Sequence, residues 1–198
     1  MRVLIACEYS GTVRDAFIAQ GHDATSCDLL PTDSPGAHYQ GSVLDIIGDG
    51  WDLLIAFPPC TYLCSSGLHW NQRDLERSKK TETALEFVRT LLDAPIPRIA
   101  LENPVGCIST RIRKPDQYVH PYNFGHDASK KTGLWLKGLP KLIGTDTVAP
   151  RMGGDKRRWA NQTDSGQNRL TPSPDRWKLR SATYQGIADA MAQQWGLL

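Results

Sequence analysis

The chain has no C-x-x-C pair, no paired-histidine spacing, no G-x-G-x-x-G, no internal repeat and no apolar run near the length that spans a bilayer. Each absence closes off a class. Five cysteines, Cys7, Cys27, Cys60, Cys64 and Cys107, form an odd set beside scattered histidines. They argue against a disulfide scaffold and against structural zinc, so no metal is expected and a reducing compartment is. The missing glycine fingerprint excludes the usual dinucleotide loop. With no charged-then-apolar leader and no spanning segment, the sequence reads as soluble and cytoplasmic, without a membrane partner. Charge of neither sign prevails, 23 Lys and Arg against 21 Asp and Glu, so no whole-molecule field announces a polyanion.

What is present is an alternation of apolar runs with helical patterns. The 198 residues suffice for one domain, and a chain of this size buries roughly 70% of its extended surface. "MRVLIAC", "HDATSCDLL" ending at Asp28, "GSVLDII", "WDLLIAF" and "RIALENP" read as strands. "VRDAFIAQGH" reads as a helix closed by glycine. "RDLERSKKTETALEFVRTLLDA" puts Leu75, Ala84, Leu85, Val88, Leu91 and Leu92 on one helical face. "KKTGLWLKGLP" is a further strand, and Ile187, Ala188, Met191, Ala192 and Trp195 repeat at helical spacing near the end. Wholly apolar strands alternating with helices predict a mostly parallel α/β sheet covered on both faces, with ligands at the carboxyl ends of its strands. The segment 140–176 is polar and rich in Gly and Pro, and is expected as a long loop or small insertion. Residues 150–181 carry eight Lys or Arg against three Asp, together with tryptophans, a composition suited to phosphates and bases or simply to a solvated loop.

Four strand ends gather unusual residues: "CEYSG", "CDLLP", "FPPC" and "ENP". The first can direct backbone N–H groups and a helix N-terminus at a polar ligand. Within it, Glu8 suits either a cofactor amino group or the cap of the following helix. Asp28 stands where a ribose hydroxyl is gripped. Pro58 and Pro59 remove ladder donors, fix φ and stiffen the turn that carries Cys60. A small buried hydrophobe does not need two prolines before it, so Cys60 is read as a nucleophile. Glu102, at the end of a neighbouring strand, supplies an acid. Cysteine plus a carboxylic acid, without a nearby histidine, suggests conjugate addition to a heteroaromatic ring.

These residues resemble the DNA cytosine-5 methyltransferases, most of all their very short phage-encoded members. "FPPC" is similar to the Pro-Cys motif of that family and "LENP" to its Glu-Asn-Val motif. "VLIACEYSG", "CDL" and "GSV" stand where its cofactor loop, ribose acid and Gly-Asp-Ile belong, and "RSATYQGIADAMA" resembles its final motif and helix. The resemblance implies a Rossmann-like class I S-adenosylmethionine-dependent methyltransferase fold in a bacterial cell or phage-infected host. It implies Cys60 adding to C6 of a flipped cytosine, Glu102 at N3, Asn103 fixing the Glu102 loop, and S-adenosylmethionine delivering a methyl group to C5. The cofactor would lie on Cys7, Glu8, Tyr9, Ser10, Gly11, Asp28, Leu29, Ser42, Val43, Phe57, Pro58, Ser181 and Thr183. DNA would meet Pro59, Thr61, Ser65 and Ser66 in a flap over 61–67, Lys130 or Lys131 at the base O2, and Arg157, Arg158 and Arg169 of the basic stretch. A monomer or weak dimer is expected.

The sequence departs from the family in three places. Ser42 replaces the acid that usually reads the adenine amino group, with Asp45 three residues on. The Gln-x-Arg-x-Arg motif is missing. No large target-recognition domain is present, and only residues near 140–169 stand in its place. Two other readings therefore stand beside DNA methylation: the same site acting on a free pyrimidine nucleotide or with a modified S-adenosylmethionine carrying a bulkier group, and a catalytically inactive nucleic-acid-binding module.

Overall fold

The structure, a computed structural model, describes residues 1–198. Its centre is a seven-stranded sheet built from β1 (Arg2–Ala6), β2 (Asp23–Asp28), β3 (His38–Gln40), β4 (Leu53–Ala56), β5 (Arg98–Pro104), β6 (Gln117–Val119) and β7 (Thr132–Lys137), in the order β3-β2-β1-β4-β5-β7-β6. The first five strands in that order pair in parallel, and β7 runs antiparallel to both β5 and β6. A reversed strand slotted between β5 and β6 distinguishes this sheet from the plain dinucleotide-binding order. It is a mostly parallel, Rossmann-like α/β sheet with helices on both faces.

Period-2 alternation divides the core cleanly. Val3, Ile5, Leu53, Ile55, Ala100 and Leu134 face α1 (Thr12–Ala19) and α6 (Gln185–Trp195), packing on Phe17, Met191 and Trp195. Leu4, Ala6, Leu54, Ala56, Ile99, Leu101 and Trp135 face the other way, toward Leu85, Val88 and Leu91 of a long helix over Leu75–Leu92. β4 is wholly buried, and so is β1 beyond Arg2, which is why both read as unbroken apolar runs. Trp51, Trp135 and Trp195 are core residues whose indole N–H groups each donate to a backbone carbonyl, of Ile46, Arg113 and Pro140. No helix is long and apolar enough to cross a membrane.

Two expectations need correction. "GSVLDII" is not a strand: the Ser42 hydroxyl accepts from Leu44 N at 3.2 Å and starts a 3-10 turn over Val43–Asp45. The third strand is instead the short polar edge "HYQ", too brief to show a hydrophobic pattern. Leu75 is 72% exposed, because it opens its helix at the Asp74 cap, a turn ahead of the packed face that begins at Thr81. The 140–176 stretch, expected as a long loop or small insertion, holds a hairpin, β8 (Arg151–Gly153) with β9 (Lys156–Arg158), before a short helix over Arg176–Ser181. The helices over Ser65–Leu68, Leu75–Leu92, Ile108–Arg111 and Arg176–Ser181 are α2, α3, α4 and α5.

Candidate active site

β4 and β5 are neighbours, with Ala56 opposite Leu101, so their carboxyl ends emerge side by side. Phe57 N makes one last ladder bond to Ala6 O, and the two prolines then end the strand. The Cys60 carbonyl accepts from Leu63 N at 3.0 Å and Cys64 N at 2.9 Å, closing a tight turn just past the thiol. Asn103 pins this turn to β5. It is 1% exposed, and its Nδ2 donates to Pro58 O at 2.8 Å, while its Oδ1 is buried without a partner. A buried amide is costly unless it is bonded, so this contact fixes the proline pair against the strand that carries Glu102.

Glu102 shares the walls of a narrow cleft with Phe57, Lys130, Thr132, Ser181 and Thr183. Burial pushes its carboxyl well above the ordinary range, against the Lys130 cation and the Thr132 hydroxyl, which pull it down. Burial also raises the Cys60 thiol, with Cys64 and the Glu102 carboxylate adding to the rise and Lys130 opposing it. Cys60 does not line the cleft itself. It stands close enough for both Glu102 and Lys130 to act on its charge. Lys130 is oriented by a 2.9 Å bond from its Nζ to Arg180 O. Lys131 is exposed and turns away, its Nζ lying 4.2 Å from the Tyr118 ring centroid, so only Lys130 of the two candidates reaches the cleft.

The first strand–turn–helix unit is shaped by buried polar groups. Cys7, at the end of β1, takes a left-handed φ of 59°, a conformation that costs about 1–2 kcal/mol outside glycine. Its thiol is pushed up to about 12 by burial, then by Asp28 and Cys27. Glu8 is buried and caps α1: Oε1 accepts from Val13 N at 2.7 Å and from Ser10 Oγ at 3.2 Å, and Oε2 accepts from Arg14 N at 3.2 Å. Of its two readings from sequence, the cap is the one the geometry displays. Burial raises the Glu8 carboxyl, and those bonds hold it back.

The sequence reading missed Arg14. It is fully buried beside Phe17 and donates to Asp15, Ser26, and the carbonyls of Ser34 and Pro35, at 2.8–3.2 Å. Gly11, at φ 76°, has no Cβ because one would sit 2.6 Å from the Arg14 guanidinium. The only sequence signal was a cation between Val13 and Asp15 in a helical pattern, and it resembled any exposed arginine.

Asp28, at the end of β2, accepts from Leu30 N through Oδ1, and Leu29 beside it is 74% exposed. Ser42 serves its own turn, Val43 is buried, and Asp45 accepts from the Tyr39 hydroxyl at 3.2 Å. The chain's last third folds back onto this edge through α5. Tyr9 and Ser181 hydroxyls lie 3.1 Å apart, Trp177 packs 5.9 Å from the Tyr9 ring, and Lys178 pairs with Asp33 at 3.2 Å. Ser181 therefore touches both the first turn and the Glu102 cleft, which no spacing in the sequence announced.

On the other side, Pro59, Thr61, Ser65 and Ser66 are exposed. The basic segment is seated beside Lys130: the Asn161 amide bonds both the N (2.9 Å) and O (3.0 Å) of Ser129, and Asp127 accepts from Ala160 N at 2.8 Å. Arg157 is exposed. Arg158 Nε donates to Asp164 O and Arg169 Nε to Gln162 O, so these two brace the loop they belong to. Trp159 is stacked on Tyr122 with centroids 4.1 Å apart and planes 10° apart, and Tyr122 stacks on His120, so this tryptophan anchors the segment. No group of three or more His, Cys, Asp or Glu is arranged to hold a metal ion.

No family model and no curated protein matches this chain. Among solved structures, it is similar to an E. coli prophage-encoded protein assigned as a DNA modification methyltransferase. The identity is 13% and the TM-score 0.46, over 87% of this chain and 62% of that one. This chain thus spans about three fifths of that structure's length.

Proposed function

We propose that this chain is an S-adenosylmethionine-dependent methyltransferase acting on DNA, and that its target is C5 of cytosine, reached through a transient Cys60–C6 bond. The observation that carries the reading is the pinned proline turn. Asn103 holds Pro58 against the Glu102 strand, Glu102 and Lys130 both act on the Cys60 charge, and Lys130 acts on Glu102.

The residues at the sheet's edge fit the cofactor. Asp28 has one carboxylate oxygen engaged by Leu30 N and a second to offer a ribose hydroxyl, with exposed Leu29 beside it as apolar surface for a purine. Tyr9, Ser181 and Thr183 would close the site from the α5 side. When bound, S-adenosylmethionine supplies an electrophilic methyl group. The chain's own residues do the rest. Cys60, as thiolate, forms a bond to C6, and the ring's electrons move toward N3, where the raised Glu102 carboxyl holds a proton to hydrogen-bond or give. C5 thereby gains carbanion character. C5 would then take up the methyl group; loss of the C5 proton to water, return of the N3 proton to the Glu102 carboxylate and expulsion of the Cys60 thiolate restore the aromatic ring. Lys130 stabilises the thiolate and faces the base O2. The small 140–176 unit, with Arg157 exposed, would meet the phosphates, and a cytosine in duplex DNA must leave its stack at a cost of a few kcal/mol.

A second reading keeps the chemistry and changes the acceptor to a free pyrimidine nucleotide. It is favoured by the small size of the basic unit and by Arg158 and Arg169 being committed to its own carbonyls.

The test is to incubate the protein with methyl-labelled cofactor and either DNA or nucleotides, then digest and separate the nucleosides. Label is expected at 5-methylcytosine from DNA, with covalent trapping on 5-fluorocytosine DNA. Cys60→Ala should lower both by at least about 10³-fold. Label that survives in Cys60→Ala would rule out the covalent route, and label only on free nucleotides would favour the second reading.

A further inference from the structure

Between Cys60 and α3 runs the segment 61–67, which begins at the residue after the thiol. We propose that Arg77, in the first turn of α3, is a positioning residue that clasps this segment beside Cys60; the inference rests on reading Cys60 as the nucleophile. One guanidinium grips both ends of the segment. Its Nη2 donates to Thr61 O at 2.9 Å and its Nε to Gly67 O at 3.2 Å. It also lies over the ring of Tyr62, 5.0 Å from the centroid, and enters no ion pair, so its side-chain bonds all go to this segment.

The surroundings are cut to this arrangement. A Cβ on Gly67 would sit 2.4 Å from Arg77 Nη2, so a larger residue there would displace the guanidinium. One helical turn further, Thr81 Oγ1 donates to Tyr62 O at 3.1 Å. α3 therefore holds the carbonyls of residues 61, 62 and 67 from one side. From the other side, the loop leaving β5 holds the same segment, through Ser65 N to Val105 O at 3.0 Å and Cys107 N to Leu63 O at 2.8 Å. The part of the chain that continues from Cys60 is thus fixed between the Glu102 strand and Arg77. Lysine would keep the charge and lose the grip, because an ammonium lacks the planar fork that reaches two carbonyls in fixed directions.

The decisive comparison uses Arg77→Lys and Gly67→Ala against Arg73→Ala, an exposed cation nearby, with circular dichroism melts confirming that each variant folds. Amide exchange within 61–67 and the rate at which iodoacetamide alkylates Cys60 report the clasp without any reaction. Both should rise by about tenfold or more in Arg77→Lys and Gly67→Ala and stay at the wild-type level in Arg73→Ala. On the methyl acceptor, kcat should fall about 10- to 100-fold, with KM within about threefold of wild type. A role in stability alone would lower activity through loss of folded protein and would not split kcat from KM. Unchanged exchange and alkylation in both variants overturn the proposal, as does loosening of the segment with wild-type kcat. If the wild-type protein transfers no methyl group to cytosine, the reading of the reaction falls, and exchange and alkylation still decide whether Arg77 holds the segment.

Discussion

The carboxyl edge of the sheet and the basic segment after Pro140 are held by opposite means. At the edge, strands that are apolar on both faces bring Cys60 and Glu102 out side by side, and a few buried polar groups, Asn103, Glu8 and Arg14, set the last ångström. In the basic segment, arginines do the holding. Arg151 bonds Asp164 and Gln162 O, Arg158 bonds Asp164 O, and Arg169 bonds Gln162 O, while Asn161 on Ser129, Asp127 on Ala160 N and Trp159 on Tyr122 seat the unit. Hydrogen bonds buried at the edge are expensive to break, whereas those in the segment compete with water. Under the proposed function, the chemistry would fall to the unyielding region and the contacts with DNA to the adaptable one.

The sharpest way to break this contrast is Asn103→Ala. It leaves the Pro58 carbonyl without its buried donor, and a loss of about 1–3 kcal/mol is expected in urea unfolding, together with a marked fall in kcat. Relief of the unpartnered Asn103 Oδ1 works against part of that loss. A stability equal to wild type would mean that the proline pair alone fixes the turn.

The next effect is electrostatic. Lys130 lowers both the Cys60 thiol and the Glu102 carboxyl, so Lys130→Met lets both rise. In the proposed reacting form the thiol has lost its proton and the carboxyl has kept one. The pH profile of kcat/KM should therefore be a bell whose two limbs belong to the Cys60–Glu102 pair. Lys130→Met should carry both limbs to higher pH. A shift of one limb alone would separate the two groups.

The smallest effect belongs to the basic segment. Arg157→Ala should weaken DNA binding evenly across sequences and reduce the slope of log affinity against log salt by about one, with no change in stability. Arg158→Ala should in addition speed amide exchange over residues 163–166, which Arg158 braces. Equal behaviour of the two variants would erase the distinction between a contacting and a bracing arginine.

How far the sequence foretold all this depended on how each region is held. β1, β4 and β5, α3 and α6 were legible because buried periodicity leaves a pattern in the residue types. So was the neighbourhood of the β4 and β5 strand ends that carry Cys60 and Glu102, since prolines after an apolar run announce a strand end. The edge strand "HYQ" was not legible, for its pairing lies in backbone groups that every residue has. The α5 contacts with Tyr9 and Asp33 join residues 145 or more apart in the chain, and no local rule links them. Arg77 and Arg14 looked like ordinary helix cations, because what sets them apart is where carbonyl oxygens happen to point.

A guanidinium sealed from water, as Arg14 is, tolerates no near miss. Were residues 32–36 to wrap one position out of step, its donors would face the wrong atoms, and a broken buried ionic arrangement costs about 3–5 kcal/mol. That single side chain thus fixes the register of the connection between β2 and β3, the same stretch from which Asp33 meets α5.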